Sequence, residues 1–159
     1  MVKLADIPKK TPQFWYALSE KVCNAIRDRV QKEHKNANGE TFSNYSEWYA
    51  NLKSQRKAVY RGGSQASTST VPDMTLTGKT MADLKTFEAN NNGATLGWIG
   101  LQAGIVESLH NHKNYRIVNL NGDPFAKKEM DMIMKALEDD ADKKIKAYCQ
   151  TPTIIKIGA

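Results

Sequence analysis

Phe14, Leu18, Val22, Ile26 and Val30 recur every four residues, with Trp15 and Ala25 beside them. A helix brings such positions onto one face as an amphipathic stripe, and this stretch then needs a partner surface to cover it. Glu20, Lys21, Arg27, Asp28 and Lys32 fall on the other side. Thr11 is a favoured N-cap and Pro12 suits the first helical position, so a helix is predicted over residues 11–35. Its end is expected near residues 36–39, where Asn and Gly accept left-handed backbone. A second long stripe stands near the other end of the chain, over residues 126–148. Met130, Ile133, Met134, Leu137, Ala141, Ile145 and Tyr148 make its apolar face, and Thr151-Pro152 stops it.

Between these helices the pattern changes. Residues 45–61 read as a second helix capped by Ser46, with Asn44 competing for the cap and with Trp48, Leu52 and Val59 on one face. Gly62-Gly63 ends it. Residues 62–72 (GGSQASTSTVP) are small, polar and uncharged, and are expected to form a flexible loop. A single helical turn is predicted at 79–83. Residues 84–88 and 94–99 flank Asn90-Asn91-Asn92-Gly93, a strong hairpin signal. A short helix is predicted at 101–110, a third strand at 115–120 and a last strand at 153–157. Strands cluster rather than alternate with helices, so the expected class is α+β: a small antiparallel sheet with a hairpin, packed against two long helices plus shorter ones. At 159 residues the chain is expected to be a single domain able to bury its own core.

Charge is distributed unevenly. The first 80 residues hold 13 basic and 7 acidic side chains, and the remainder 10 of each, so the whole excess of +6 lies in the first part. Lys53, Arg56, Lys57 and Arg61 share one face of the predicted second helix and form its densest positive stripe. A cationic face toward phosphates or an acidic partner and a plain solvated face both account for it. Cys23 and Cys149 are the only two cysteines and are expected to be free thiols in a reducing compartment. Cys23 falls near the first helix's apolar stripe and reads as a small core residue. No apolar run approaches the length of a membrane span, and no apolar segment follows the basic residues 1–10 as a secretory signal requires.

The chemical motifs are incomplete. Gly78-Lys79-Thr80 resembles the end of a phosphate-binding loop, but Asp73 stands where that loop needs glycine. His110 and His112 form an H-x-H pair with Glu107 nearby, in surroundings that read as a wet loop without a third ligand. Glu138, Asp139, Asp140 and Asp142 point round the outer face of the last helix, as solvated carboxylates do. No enzyme constellation emerges, and no cofactor or metal is expected.

The order of features resembles the tail-completion and virion-morphogenesis proteins of tailed bacteriophages, small proteins of the head–tail neck. A long N-terminal helix precedes Trp48 and Leu52, a W-x-x-x-L segment followed by basic residues. Leu76-Thr77-Gly78 is similar to the family's turn before its hairpin. Ala94-Thr95-Leu96-Gly97-Trp98 precedes Ala103 and His110, and Pro124-Phe125 precedes the last helix. The chain departs from the pattern at Thr80, in the seven-residue spacing of Ala103 and His110, and at Asp123. The resemblance implies a non-enzymatic structural role in the virion, with assembly in the host cytoplasm. It implies self-association into a symmetric ring, a hexamer or dodecamer, with neck, tail-terminator or tube proteins as neighbours, double-stranded DNA in the channel and no membrane. The alternative is a small basic nucleic-acid-binding protein.

Overall fold

The computed structural model describes residues 10–58, 65–75, 78–110, 115–118 and 125–150, with His110 and residues 148–150 described by backbone alone. Thr11 caps the first helix, α1 (Pro12–Gln31): its hydroxyl accepts the Phe14 amide at 3.2 Å, and Pro12 occupies the first turn. The four-residue stripe is buried as the spacing predicts, through Leu18, Val22, Ile26 and Val30, with Cys23 inside it. His34 takes a left-handed backbone just past the helix, and the chain reverses over Gly39 to a bridge between Lys35 and Thr41.

The second helix, α2 (Glu47–Ser54), starts at the predicted cap, Ser46, but is eight residues long and ends well before position 61. Arg56 has φ +57°, a conformation glycine usually supplies. Its amide bonds to the Lys53 carbonyl at 3.1 Å, and that of Lys57 to the Leu52 carbonyl at 2.8 Å. These are the two crossed bonds of a Schellman closure, which ends a helix whatever the apolar spacing beyond it. The expected Val59 position lies outside the described residues.

Gly78, at φ +76°, leads into the short helix α3 (Lys79–Ala82). The hairpin follows as β1 (Lys85–Asn90) and β2 (Gly93–Gly97), antiparallel, with Asn90 opposite Gly93 and Thr86 opposite Leu96. Phe87 bulges between Thr86 and Glu88. The turn is Asn91-Asn92, held by the Asn92 amide on the Asn90 side chain at 2.8 Å. The fourth helix is α4 (Leu101–His110) and the last is α5 (Lys127–Gln150). Five helices and one two-stranded antiparallel sheet make the fold α+β among the described residues.

Both strands lie along α1, and α5 packs on it as well. The Ser19 and Thr86 hydroxyls are 2.6 Å apart, Trp15 donates its indole N–H to the Asn91 carbonyl at 3.3 Å, and Arg27 holds the Met81 carbonyl at 3.0 Å. α5 runs antiparallel to α1, tied by Arg29 to Glu129 at 2.6 Å and by Lys10 to Asp140 at 3.4 Å. Glu129 also accepts the Ala126 amide at 2.7 Å, so one carboxylate caps α5 and neutralises a buried guanidinium. The core gathers Val22, Ile26, Val30, Phe42, Met81, Leu84, Val106 and Ile117.

Two further expectations change. Residues 115–118 are not a strand: the Arg116 and Ile117 carbonyls accept from the Ala37 amide at 2.7 Å and from Arg29 at 2.8 Å, rather than from a ladder partner. Residues 119–120 and the strand expected at 153–157 lie outside the described residues. On α5, Ile133 reaches the core and Leu137 and Ala141 are half-buried, but Met134 and Ile145 are about half exposed, so the apolar stripe is covered only in part.

Candidate interaction surface

The structure separates the expected basic stripe. Lys53, placed on an outward face by the sequence reading, is 0% exposed. Its Nζ lies 2.5 Å from Asp73 Oδ1, 3.3 Å from the Tyr45 hydroxyl and 4.9 Å over the Tyr45 ring. Asp73 also accepts the Thr75 amide at 3.0 Å and the Ser67 hydroxyl. A buried charge is tolerable only when paired and hydrogen-bonded in this way. Burial, reinforced by the Asp73 charge, pushes the Tyr45 phenol up to about 12. Arg56 and Lys57 are exposed, and Arg61 lies outside the described residues. The stripe of Lys53, Arg56, Lys57 and Arg61 is therefore not one helical face: α2 ends between its first and second members, and the first is a core residue.

The same pair accounts for the loop expected at 62–72. In its described part, Gln65 is buried and donates to the carbonyls of Lys53 and Ser67, both at 2.5 Å, and Pro72 is buried. Asp73, the residue that breaks the phosphate-loop pattern, instead anchors this segment to α2. Gly78-Lys79-Thr80 serves packing too: Thr80 bonds Gln102 at 2.6 Å, and its carbonyl takes the Trp98 indole N–H at 2.6 Å. A Cβ at Gly78 would touch Ala66 at 3.4 Å. Cys23 sits in the core, where burial, aided by the Glu20 charge, pushes its thiol up. On α5, burial pulls the Asp140 carboxyl upward, but bonds from Lys144 and Lys10 outweigh it and hold the group below its ordinary value. The side chains of His110 and His112, and Cys149, lie outside the described residues. Among the described residues no three His, Cys, Asp or Glu side chains gather as metal ligands, and no helix is long and apolar enough to cross a membrane.

The surface feature that stands out was not singled out from sequence. A cavity of about 560 Å³ runs beside β2 and is lined by residues 94–98, by Ala103, Val106 and Glu107 of α4, and by Val118 and Phe125. Four consecutive strand residues and Trp98 just past them, alternating in direction, line one cavity, which places it along the strand's edge. Among the described residues β2 pairs with β1 alone, so that edge leaves backbone N–H and C=O groups without a ladder partner. Just past β2, Ile99 is 60% exposed; on the side of α4 opposite the lining residues, Leu101 is 78% exposed and Ile105 stands one turn after it. The helical spacing of 101 and 105 was available in the sequence; that Gln102 and Val106 would take the buried face was not. Comparison with protein-family models, curated proteins and solved structures finds no match.

Proposed function

We propose that this chain is a structural, non-enzymatic virion protein of the head–tail neck or tail end of a tailed bacteriophage, whose copies close into a symmetric ring and join tail to head. The observation that supports this most is the groove beside β2, together with the exposed Ile99 and the exposed Leu101 and Ile105 on the far side of α4. Large exposed apolar side chains on one surface, and on another a strand edge with no ladder partner among the described residues, suit burial against other proteins. In a ring the contact is heterologous: one patch of each copy meets a different patch of the next, and the rotation must close. The family resemblance of the sequence adds the location, and its tube, terminator and neck proteins as neighbours.

A second reading, a small basic nucleic-acid-binding protein, draws on the +6 charge. Pairing of Lys53 with Asp73 takes one cation out of its expected stripe.

The test is light scattering on the purified chain, together with a head–tail joining assay. A ring mass for the wild type, and loss of both ring and joining in a Leu101→Glu/Ile105→Glu variant of unchanged melting temperature, is the expected result. A wild-type chain that stays monomeric and is dispensable for joining overturns the reading.

A further inference from the structure

The groove offers a strand-shaped vacancy with a definite chemistry. Its wall on one side is the edge of β2 that has no ladder partner among the described residues, and on the other the Ala103, Val106 and Glu107 face of α4. A strand laid between an edge and a helix gains main-chain hydrogen bonds from the edge and side-chain specificity from the helix. Glu107 is the one charged residue among the described residues lining it, and it is exposed.

The chain carries a segment of matching composition. Residues 153–157, Thr-Ile-Ile-Lys-Ile, are β-branched at four of five positions, and Lys156 is the only charged residue after position 150. In an extended conformation Ile155 and Ile157 share one side while Lys156 takes the other. That places Ile155 and Ile157, with Thr153, toward the groove floor, and Lys156, with Ile154, on the side where Glu107 stands.

The segment cannot fill the groove of its own copy. Phe125 lines the cavity, and α5 starts two residues later and carries the chain 24 residues away. At 1.5 Å per residue Gln150 lies about 35 Å from Phe125. A strand along the whole of 94–98 must bring one end of 153–157 to the Trp98–Phe125 end. Ile157, seven residues past Gln150, extends at most about 25 Å. A neighbouring copy is under no such restriction.

We infer that residues 153–157 of one copy add as a strand to the β2 edge of the next, with Ile155 and Ile157 in the groove and Lys156 against Glu107. This rests on the ring reading and specifies its contact.

The test uses the full chain carrying Ile155→Asp and Ile157→Asp, which disables its own tail, titrated with a fluorescent peptide of residues 151–159. Saturable binding followed by anisotropy is expected. Ile155→Asp in the peptide should weaken it at least about tenfold, the worth of one buried isoleucine. Glu107→Lys in the protein should weaken the wild-type peptide about two- to fivefold, as an exposed pair does, and a Lys156→Glu peptide should regain the loss. Absence of saturable binding, or an Ile155→Asp peptide that binds as well as the wild type, overturns the inference. A neck or tube protein that occupies the groove when the peptide does not would assign the edge to that partner instead. Should the peptide fail while wild-type rings still form and join tails, the tail contact falls and the ring reading stands. Should it bind while joining needs no such protein, the reverse holds.

Discussion

Removing the Lys53 ammonium while keeping its length separates a buried pair from a surface cation. Lys53→Met leaves the Asp73 carboxylate buried, with the Ser67 hydroxyl and the Thr75 amide as its remaining donors. Breaking one side of a buried ion pair costs about 3–5 kcal/mol. Those two donors stay in place, so the lower end, about 3 kcal/mol, is expected. For a chain of this size each kcal/mol moves the melting temperature by about 2–4 °C, which gives a fall of about 6–12 °C. Melting followed by circular dichroism at pH 7 reads this directly, with Lys57→Gln as the exposed control, expected within about 0.5 kcal/mol of wild type. Lys53→Met combined with Asp73→Asn should cost about 2 kcal/mol less than the two singles added, because each single leaves the other member of the pair buried without its counter-charge. If Lys53→Met melts within about 2 °C of wild type and no lower than Lys57→Gln, the pair does not hold the 65–75 segment to α2 and the buried assignment is wrong.

Arg56→Gly should raise stability by about 1 kcal/mol in the same melting assay, because it relieves the left-handed backbone of a residue with a Cβ. Glu129→Gln keeps the cap on the Ala126 amide but discharges the partner of Arg29, and should cost about 1.5–3 kcal/mol in denaturant unfolding. Tyr45 ionises near pH 12 when folded and near 10 when unfolded, so the folded state holds the extra proton between these values. Its contribution to stability is complete below pH 10 and is lost as pH rises toward 12, and phenolate absorbance should show it as a late-titrating group among the six tyrosines. With Lys53 buried, the expected stripe has at most three phosphate contacts, so any duplex-DNA affinity it carries should have a log–log salt slope near −2.7, which Arg56→Gln/Lys57→Gln makes about 1.8 units shallower.

Local chemistry made much of the fold legible. The Thr11 and Ser46 caps, the stripe of α1 and the Asn-rich turn of the hairpin are set by neighbours within a few residues, and each stands close to its expected place. What failed depended on partners far along the chain. Trp48 and Leu52 suggested the buried face of α2, yet Trp48 is 72% exposed while Lys53 is buried, because Asp73, twenty residues away, supplies a counter-charge. The end of α2 was hidden for a related reason: Arg56 holds a position where glycine would have announced the stop. Residues 115–118 have strand-like composition, but Arg29 and Ala37 claim their carbonyls. The candidate groove was invisible because a free strand edge is a property of the sheet and not of any motif.

The shared packing of the hairpin and α5 on α1 has a mechanical consequence. In the proposed ring, with the proposed contact of one copy's tail on the next copy's β2, a pull would enter a copy at β2 and leave through the end of α5. Both strands rest on α1, and α5 reaches them through it, so α1 is the tie rod of the copy. Its couplings to either side are the Ser19–Thr86 and Trp15–Asn91 bonds toward the hairpin and the Arg29–Glu129 pair toward α5. The strength of such a joint is then set along the length of one helix, and its yield point by a handful of polar contacts on opposite flanks.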